Sequence, residues 1–335
     1  MSSHNAPMPS EPAASGPGSP GPATLRPTLR PAEGVVSWNL TTACNYRCDY
    51  CTQRLKADRG RWSRDIEAFL AAFARLPGPW EVKLSGGEPF VHPELERVAA
   101  GLASIGHRVS VVTNFSAPRD KLAAFVTAAA GRVGVFSCSL HLPYVEGEEA
   151  LAGYFAKARW LAELLARSAP PDGGAPGGRP AAPRLCVTTV ATRRALPLLP
   201  ALAERAGEAG ITFKVQPEKQ DREVISYTAE EERLILSLGG HNLTGRIVHR
   251  LEGRPCWAGS RYFILDDEGL AFRCYPARRH RVERLGSFLS PGFRLAEDPS
   301  PCLYETCNCT VPIARGMMPL DEGERSAFQD EEVPS

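Results

Sequence analysis

Cys44-Asn45-Tyr46-Arg47-Cys48-Asp49-Tyr50-Cys51 is a CxxxCxxC run that follows directly on the apolar stretch 35–40. Three thiolates this close in one loop can hold three corners of an iron–sulfur cube and leave the fourth iron to a ligand that is not protein. Structural zinc asks instead for four closed ligands, typically in paired spacing. The run therefore points to a cluster with one open corner.

A second motif, Gly86-Gly87-Glu88-Pro89, stands at the end of a strand expected over residues 81–84. Glycines there let backbone approach closely and take unusual dihedrals. CxxxCxxC with an aromatic residue, Tyr50, just before the third cysteine, followed at this distance by Gly-Gly-Glu-Pro, resembles the radical S-adenosylmethionine (SAM) superfamily. The resemblance implies that Cys44, Cys48 and Cys51 carry a [4Fe-4S] cluster whose open iron chelates the amino and carboxylate groups of SAM. Reductive cleavage would then yield a 5′-deoxyadenosyl radical that takes a hydrogen atom from substrate, with the electron supplied by a donor such as flavodoxin or ferredoxin. It further implies SAM contacts from Tyr50, Gly86, Gly87 and Glu88, and from the strand-end residues Thr113, Asn114, Ser139 and Gln216.

Composition narrows the setting. The chain has 335 residues, 43% of them hydrophobic and 23% charged, with a net charge of +1. Such a balance supports a large core but offers no basic field to recruit nucleic acid or a membrane surface. No run approaches the roughly 18–20 apolar residues that span a bilayer. Residues 1–33 hold eight prolines and almost no large apolar side chain, so they read as a disordered tail rather than a secretory signal, and a cytoplasmic protein is expected. Ten cysteines in a chain of this kind point to metal or catalysis rather than to disulfides. Eight fall into two groups; Cys138 and Cys186 stand alone in apolar runs and read as core.

Between the motifs the pattern alternates. Helices are expected over 63–76, with Ser63 as cap, and over 93–105, 121–130, 148–167 and 194–209; strands are expected over 35–40, 81–84, 108–112, 133–140, 184–190 and 211–216. Six such units predict an α/β fold, a partial (β/α)6 TIM-like barrel spanning 34–218, with right-handed crossovers and its active site at the carboxyl ends of the strands. Residues 168–183, rich in Pro, Gly and Ala, read as a flexible insertion, and the basic residues Arg54, Lys56, Arg59, Arg61 and Arg64 as a solvated connection with one candidate partner for the SAM carboxylate. Residues 219–253 form a connecting region with a helix over 230–238, and 316–335 an acidic tail.

From residue 254 to 315 short strands and cysteines dominate. Strands over 262–265 and 270–273 would form a hairpin turning at Asp266-Asp267-Glu268-Gly269. Cys256, a spaced Gly269 and then Cys274 resemble the opening of the SPASM and twitch extensions of radical SAM enzymes, and Cys302, Cys307 and Cys309 follow. Five cysteines rather than seven favour the smaller, twitch form with one auxiliary [4Fe-4S] cluster. Four ligands saturate a cube; Cys256, Cys274, Cys302 and Cys307 are the expected set, Cys309 competes for it, and zinc remains the rival metal. For acid–base work the candidates are His141, Glu218 and Tyr227, with Asp266 and Asp267 beside them. The expected reaction is hydrogen abstraction from a peptide or natural-product intermediate, ending in dehydrogenation, epimerisation or cross-linking. The alternatives are dehydrogenation of a small-molecule alcohol and a non-catalytic zinc-binding interaction protein.

Overall fold

Val36, Trp38 and Leu40 alternate in the first strand with Ser37, Asn39 and Thr41, and the apolar three are fully buried. Successive side chains of a strand point to opposite faces, so one face must meet helices while the other looks onto something polar. A computed structural model describes residues 31, 33–53, 62–169, 184–220, 223–238, 250–305, 307 and 315–319, and it has this form. The expected tail over 1–33 lies almost wholly outside those residues. So do Arg54, Lys56, Arg59 and Arg61, nearly all of the insertion, residues 239–249 of the connecting region, Cys309 and most of the acidic end.

The six expected units are present in order: β1 (Gly34–Thr41), α1 (Ile66–Ala74), β2 (Trp80–Gly86), α2 (Leu95–Ile105), β3 (Arg108–Thr113), α3 (Arg119–Ala128), β4 (Val133–Ser139), α4 (Gly147–Ser168), β5 (Arg184–Ala191), α5 (Leu199–Glu208) and β6 (Thr212–Pro217). Neighbouring strands from β1 to β6 pair in parallel, in sequence order, giving the open (β/α)6 partial barrel. Next come α6 (Ala229–Ser237), β7 (Tyr262–Leu265), β8 (Leu270–Phe272), α7 (Tyr275–His280) and β9 (Arg284–Ser287). The β7–β8 hairpin extends the barrel sheet: β7 lies parallel to the free edge of β1, with Val35 opposite Tyr262 and Trp38 opposite Leu265. The resulting nine-stranded sheet runs β9-β8-β7-β1-β2-β3-β4-β5-β6.

Ser63 does not cap α1. Asp65 does, its carboxylate accepting the Ala68 N–H at 3.1 Å. Ser63 is buried instead, accepting from the Trp38 indole at 3.2 Å and donating to the Asp267 carbonyl at 3.2 Å, so it ties the first barrel unit to the hairpin turn. The helix expected from residue 194 opens as a 3-10 turn, Leu196–Leu198, and becomes α-helical only at Leu199, because Pro197 and Pro200 lack the N–H that an earlier start would use.

The helix-side core is aromatic. Trp38 stacks on Phe69 at 4.7 Å between centroids, and Phe73 meets Phe288 from beyond β9 at 4.8 Å. Phe288 in turn contacts Phe263 and Phe293. One core thus serves barrel and hairpin alike. A second cluster, around Val35, Tyr262, Ile264, Met317 and Met318, packs the cysteine-bearing loops against the edge of the sheet. Among the described residues no helix is long and apolar enough to cross a membrane.

Phe288 is fully buried at this junction. Phe288→Ala should therefore cost roughly 3–5 kcal/mol in chemical denaturation, and the barrel and hairpin should unfold together; a loss under about 1 kcal/mol would mean that the two do not share a core.

Candidate active site

The cysteine loop leaves the carboxyl end of β1 and is fastened at once to the end of β2. The Gly87 N–H donates to the Thr41 carbonyl and the Glu88 N–H to the Ala43 carbonyl, both at 2.7 Å. The approach leaves no room for side chains: a β-carbon on Gly86 would stand 2.1 Å from the Thr41 oxygen, and one on Gly87 1.9 Å from the Ala43 oxygen. Gly86 also has φ +119°, which side-chain-bearing residues rarely adopt. The two glycines are therefore needed by the backbone of the cysteine loop itself, whatever else they touch.

Glu88 is buried and oriented from three directions. Its carboxylate accepts from the Thr113 hydroxyl at 2.7 Å, the Asn114 N–H at 2.6 Å and the Phe90 N–H at 3.0 Å. Burial raises its pKa, and these donors act against the rise. Asn114 continues the network by donating to Asn45 Oδ1 at 2.8 Å and to Cys44 Sγ at 3.9 Å; Asn45 donates to the Ser116 hydroxyl at 2.9 Å. The ends of β2 and β3 thus grip the first half of the loop. The end of β4 grips the second. His141 Nδ1 shares a hydrogen bond with the Tyr50 hydroxyl at 2.9 Å and lies 3.6 Å from Cys48 Sγ. Tyr46 stacks on Tyr144 at 3.8 Å, and the Tyr144 hydroxyl accepts the Arg47 N–H at 2.6 Å. Burial lowers the His141 pKa to about 4, so its ring is neutral near pH 7.

The donor set fits an iron–sulfur cube. Besides Asn114, the Tyr46 N–H donates to Cys44 Sγ at 3.4 Å, and such bonds stabilise sulfur that carries negative charge. Burial pushes all three thiols up, Cys48 to about 11. Without metal they stay protonated at neutral pH, and metal binding must displace those protons. None of the described cysteines is in a disulfide. Among the described residues no three His, Cys, Asp or Glu side chains gather at single-ion spacing; a cube asks for something wider, one thiolate on each of three iron atoms.

Cys256, Cys274, Cys302 and Cys307, 51 residues apart from first to last, line one small apolar pocket with Ala258, Pro276 and Met318. The Ala258 N–H donates to Cys256 Sγ at 3.4 Å. Arg273, buried in the same wall, pairs with Glu283 at 2.7 Å and donates to the Ala258, Ser300 and Pro301 carbonyls. By donor type, four thiols on one pocket with a buried cation beside them suit a fully ligated cluster or a closed tetrahedral ion, but they do not stand at single-ion spacing.

Beside the cysteine loop, at the carboxyl ends of β4 to β6, opens a cleft of about 890 Å³. Asp49 and Tyr50 form part of its wall, Leu142, Leu198 and Ile225 give it apolar surface, and Arg193, Arg194 and Glu218 give it charge. Glu218 is the one acid–base candidate in this wall. The Tyr227 hydroxyl is committed, donating to the Ala191 carbonyl at 2.8 Å and accepting the Glu218 N–H at 2.7 Å, and burial holds its pKa up near 12. It clasps β5 to β6. Asp266 is likewise occupied in the hairpin turn, accepting the Glu268 and Leu270 N–H groups, and Asp267 is buried beneath it. Ser139 and Gln216, both half-buried, stand at the ends of β4 and β6. Sequence reasoning missed Tyr144 and Asn45; an aromatic residue just past a strand end and a polar one inside the loop were the only signals.

Residues 38–159 match the family model described as the Radical SAM superfamily. A PqqA peptide cyclase of Methylorubrum populi is 32% identical over 97 residues, covering 28% of this chain and 25% of that protein. A GTP 3′,8-cyclase of Stenotrophomonas maltophilia is 37% identical over 82 residues, covering 23% and 25%. The chain thus aligns with about a quarter of the length of these relatives. Among solved structures, SuiB of Streptococcus suis bound to S-adenosylmethionine superposes with a TM-score of 0.54 at 12% identity, over 78% of this chain and 64% of that one. SuiB bound to its precursor peptide SuiA gives the same score.

Gly87→Ala should break the loop's fastening, lowering stability by roughly 2–4 kcal/mol. Iron content after anaerobic reconstitution should fall by about half, because the pocket of Cys256 and Cys274 lies elsewhere; unchanged iron would refute the fastening. Raised thiol pKa values also give cluster loading a sign. At limiting iron, less should be retained at pH 6.5 than at pH 8.5, with protons released on uptake; loading indifferent to pH would contradict thiols held protonated by partial burial.

Proposed function

With a radical SAM superfamily domain at residues 38–159, we propose that this chain cleaves S-adenosylmethionine reductively and abstracts a hydrogen atom from a peptide or peptide-derived intermediate. The observation that carries the reading is the cleft itself: Asp49 and Tyr50 belong both to the CxxxCxxC loop and to the wall of the cleft, so the reactive corner and a substrate-sized cavity adjoin. When bound, the cluster and SAM supply a 5′-deoxyadenosyl radical on one-electron reduction by a flavodoxin- or ferredoxin-type donor. What the chain contributes is positioning. Cys44, Cys48 and Cys51 would hold the cluster; Gly86, Gly87 and Glu88 fix the loop through their backbone, which would lie beside SAM; Thr113 and Asn114 hold the Glu88 carboxylate turned toward β3. His141 is neutral and keeps the Tyr50 ring against the loop. Leu142, Leu198 and Ile225 would give the substrate apolar surface beside the loop.

The cysteines at 256, 274, 302 and 307 would hold an auxiliary [4Fe-4S] cluster, with Cys309 as the competing ligand, able to take an electron from a substrate radical during dehydrogenation or cross-linking. The peptide reading rests on the similarity to the PqqA peptide cyclase and on the open form and volume of the cleft. A small-molecule substrate is the second reading, favoured by the 37% identity to a GTP 3′,8-cyclase.

Reconstituted protein given dithionite and SAM should form 5′-deoxyadenosine, and a Cys44/Cys48/Cys51 triple alanine variant should form none while keeping about four iron atoms per chain. Fully iron-loaded wild type that makes no 5′-deoxyadenosine, with or without a peptide mixture present, would overturn the proposal.

A further inference from the structure

The turn after β3 is strained where it meets the cysteine loop. Phe115 follows Asn114 directly and has φ +60°, in the left-handed region that a bulky side chain rarely adopts. Such a conformation persists only where its surroundings impose it. Here α4 imposes it. Lys157, half-buried on that helix, donates through its ammonium to the Phe115 carbonyl at 2.8 Å and to the Ala117 carbonyl at 2.5 Å. The same nitrogen stands 4.4 Å from the centroid of the Phe115 ring. Tyr154, three residues earlier and so on the same helix face, meets that ring edge to face at 5.2 Å and donates its hydroxyl to the Cys138 carbonyl of β4 at 3.1 Å.

The turn so held aims three N–H groups. Asn114 points to Glu88 at 2.6 Å, Phe115 to the Thr113 hydroxyl at 3.0 Å, and Ser116 to the Asn114 side-chain oxygen at 3.0 Å. The last bond fixes the Asn114 amide with its Nδ2 facing Asn45 and Cys44 Sγ, while the Ser116 hydroxyl accepts from Asn45. The φ of Phe115 sets the direction in which the chain leaves Asn114. A relaxation to negative φ would swing Ser116 away and release both asparagines. Among the described residues Lys157 bonds to no cysteine, so its action on the loop is at one remove. Its charge also acts on the buried Glu88 carboxylate from across the turn.

We propose that Lys157 is a positioning residue of the SAM-cleaving centre: by holding Phe115 in its left-handed conformation it keeps the Asn114 amide donating to Cys44 Sγ, and so holds up the reduction potential of the cluster. The inference rests on the reading that Cys44, Cys48 and Cys51 carry that cluster. Hydrogen bonds to the sulfurs set such potentials in part, and a donor to thiolate favours the reduced, more negative form. Losing the donor makes reduction harder.

Two measurements test this on the full chain, in wild type, Lys157→Met, Lys157→Arg, Asn114→Leu and the Lys157→Met/Asn114→Leu double variant. In iron-free, reduced protein the amides of Asn114, Phe115 and Ser116 should exchange hydrogen at least tenfold faster in Lys157→Met than in wild type. Lys157→Arg, which keeps donors and charge, should stay near wild type. In reconstituted protein, a redox titration should follow the cluster whose electron paramagnetic resonance signal responds to SAM. At a fixed poise its ratio of reduced to oxidised form should fall about tenfold in Lys157→Met, which is 59 mV for one electron. Asn114→Leu should show the same fall, and the double variant no more than about twofold beyond it, since Lys157 acts through Asn114. Should Lys157→Met not fold, Lys157→Gln carries the same comparison. Unchanged hydrogen exchange would overturn the assignment. So would a variant that melts lower yet keeps its potential, which is a structural role alone, or a double variant in which the two falls add, which is a charge acting on its own. Potential shifts as expected in a chain that forms no 5′-deoxyadenosine would count against the proposed function and leave the positioning role standing.

Discussion

The carbonyl oxygen of Ala43 sits where a β-carbon on Gly87 would have to be, and the rest of the site depends on that contact. Two N–H···O bonds of 2.7 Å fuse the end of β1 to the end of β2. The fusion fixes where the three thiols begin, turns Glu88 inward toward β3, and lets Asn114 reach across to Cys44. A loop of eight residues carrying three cysteines has too few buried contacts of its own to hold a shape. Here it borrows rigidity from three strand ends and from the stacked pair Tyr46 and Tyr144.

A second constraint is desolvation. The site draws thiols, a carboxylate and an imidazole wholly or partly out of water, and each is pushed toward its neutral form. The N–H donors to sulfur and to Glu88 work the other way. Such a balance suits a centre that gathers negative charge only when metal arrives. The cysteine-rich half stands on the same sheet, because β7 pairs with the free edge of β1. The two groups of cysteines are therefore carried by one continuous sheet.

Local features were legible in the sequence. CxxxCxxC and Gly-Gly-Glu-Pro carry their meaning in spacing, and the strands announced themselves as short apolar runs, as over 35–40. The glycines read as a close-approach motif, although what approaches them is the loop's own backbone. Long-range contacts were not legible. Nothing in Tyr262-Phe263-Ile264-Leu265 says that it will dock on β1, since an apolar run suits any covered edge. Ser63 looked like a helix cap because a cap is a local feature, while its bonds to Trp38 and Asp267 lie 25 and 204 residues away. Tyr227 could be read as an acid–base group only until β5 and β6 were seen to use its hydroxyl. Thr228-Ala-Glu-Glu231 is a capping box written plainly in sequence, and the helix it starts was read without it.

The most direct measurement is Mössbauer spectroscopy on ⁵⁷Fe-grown, anaerobically purified protein before and after SAM is added. Two [4Fe-4S] sites, with one iron of one site changing its signal on addition of SAM, are the expected result: a three-cysteine cube whose fourth corner is open to the cofactor. A protein that holds zinc and no iron, or iron signals that ignore SAM altogether, would contradict it.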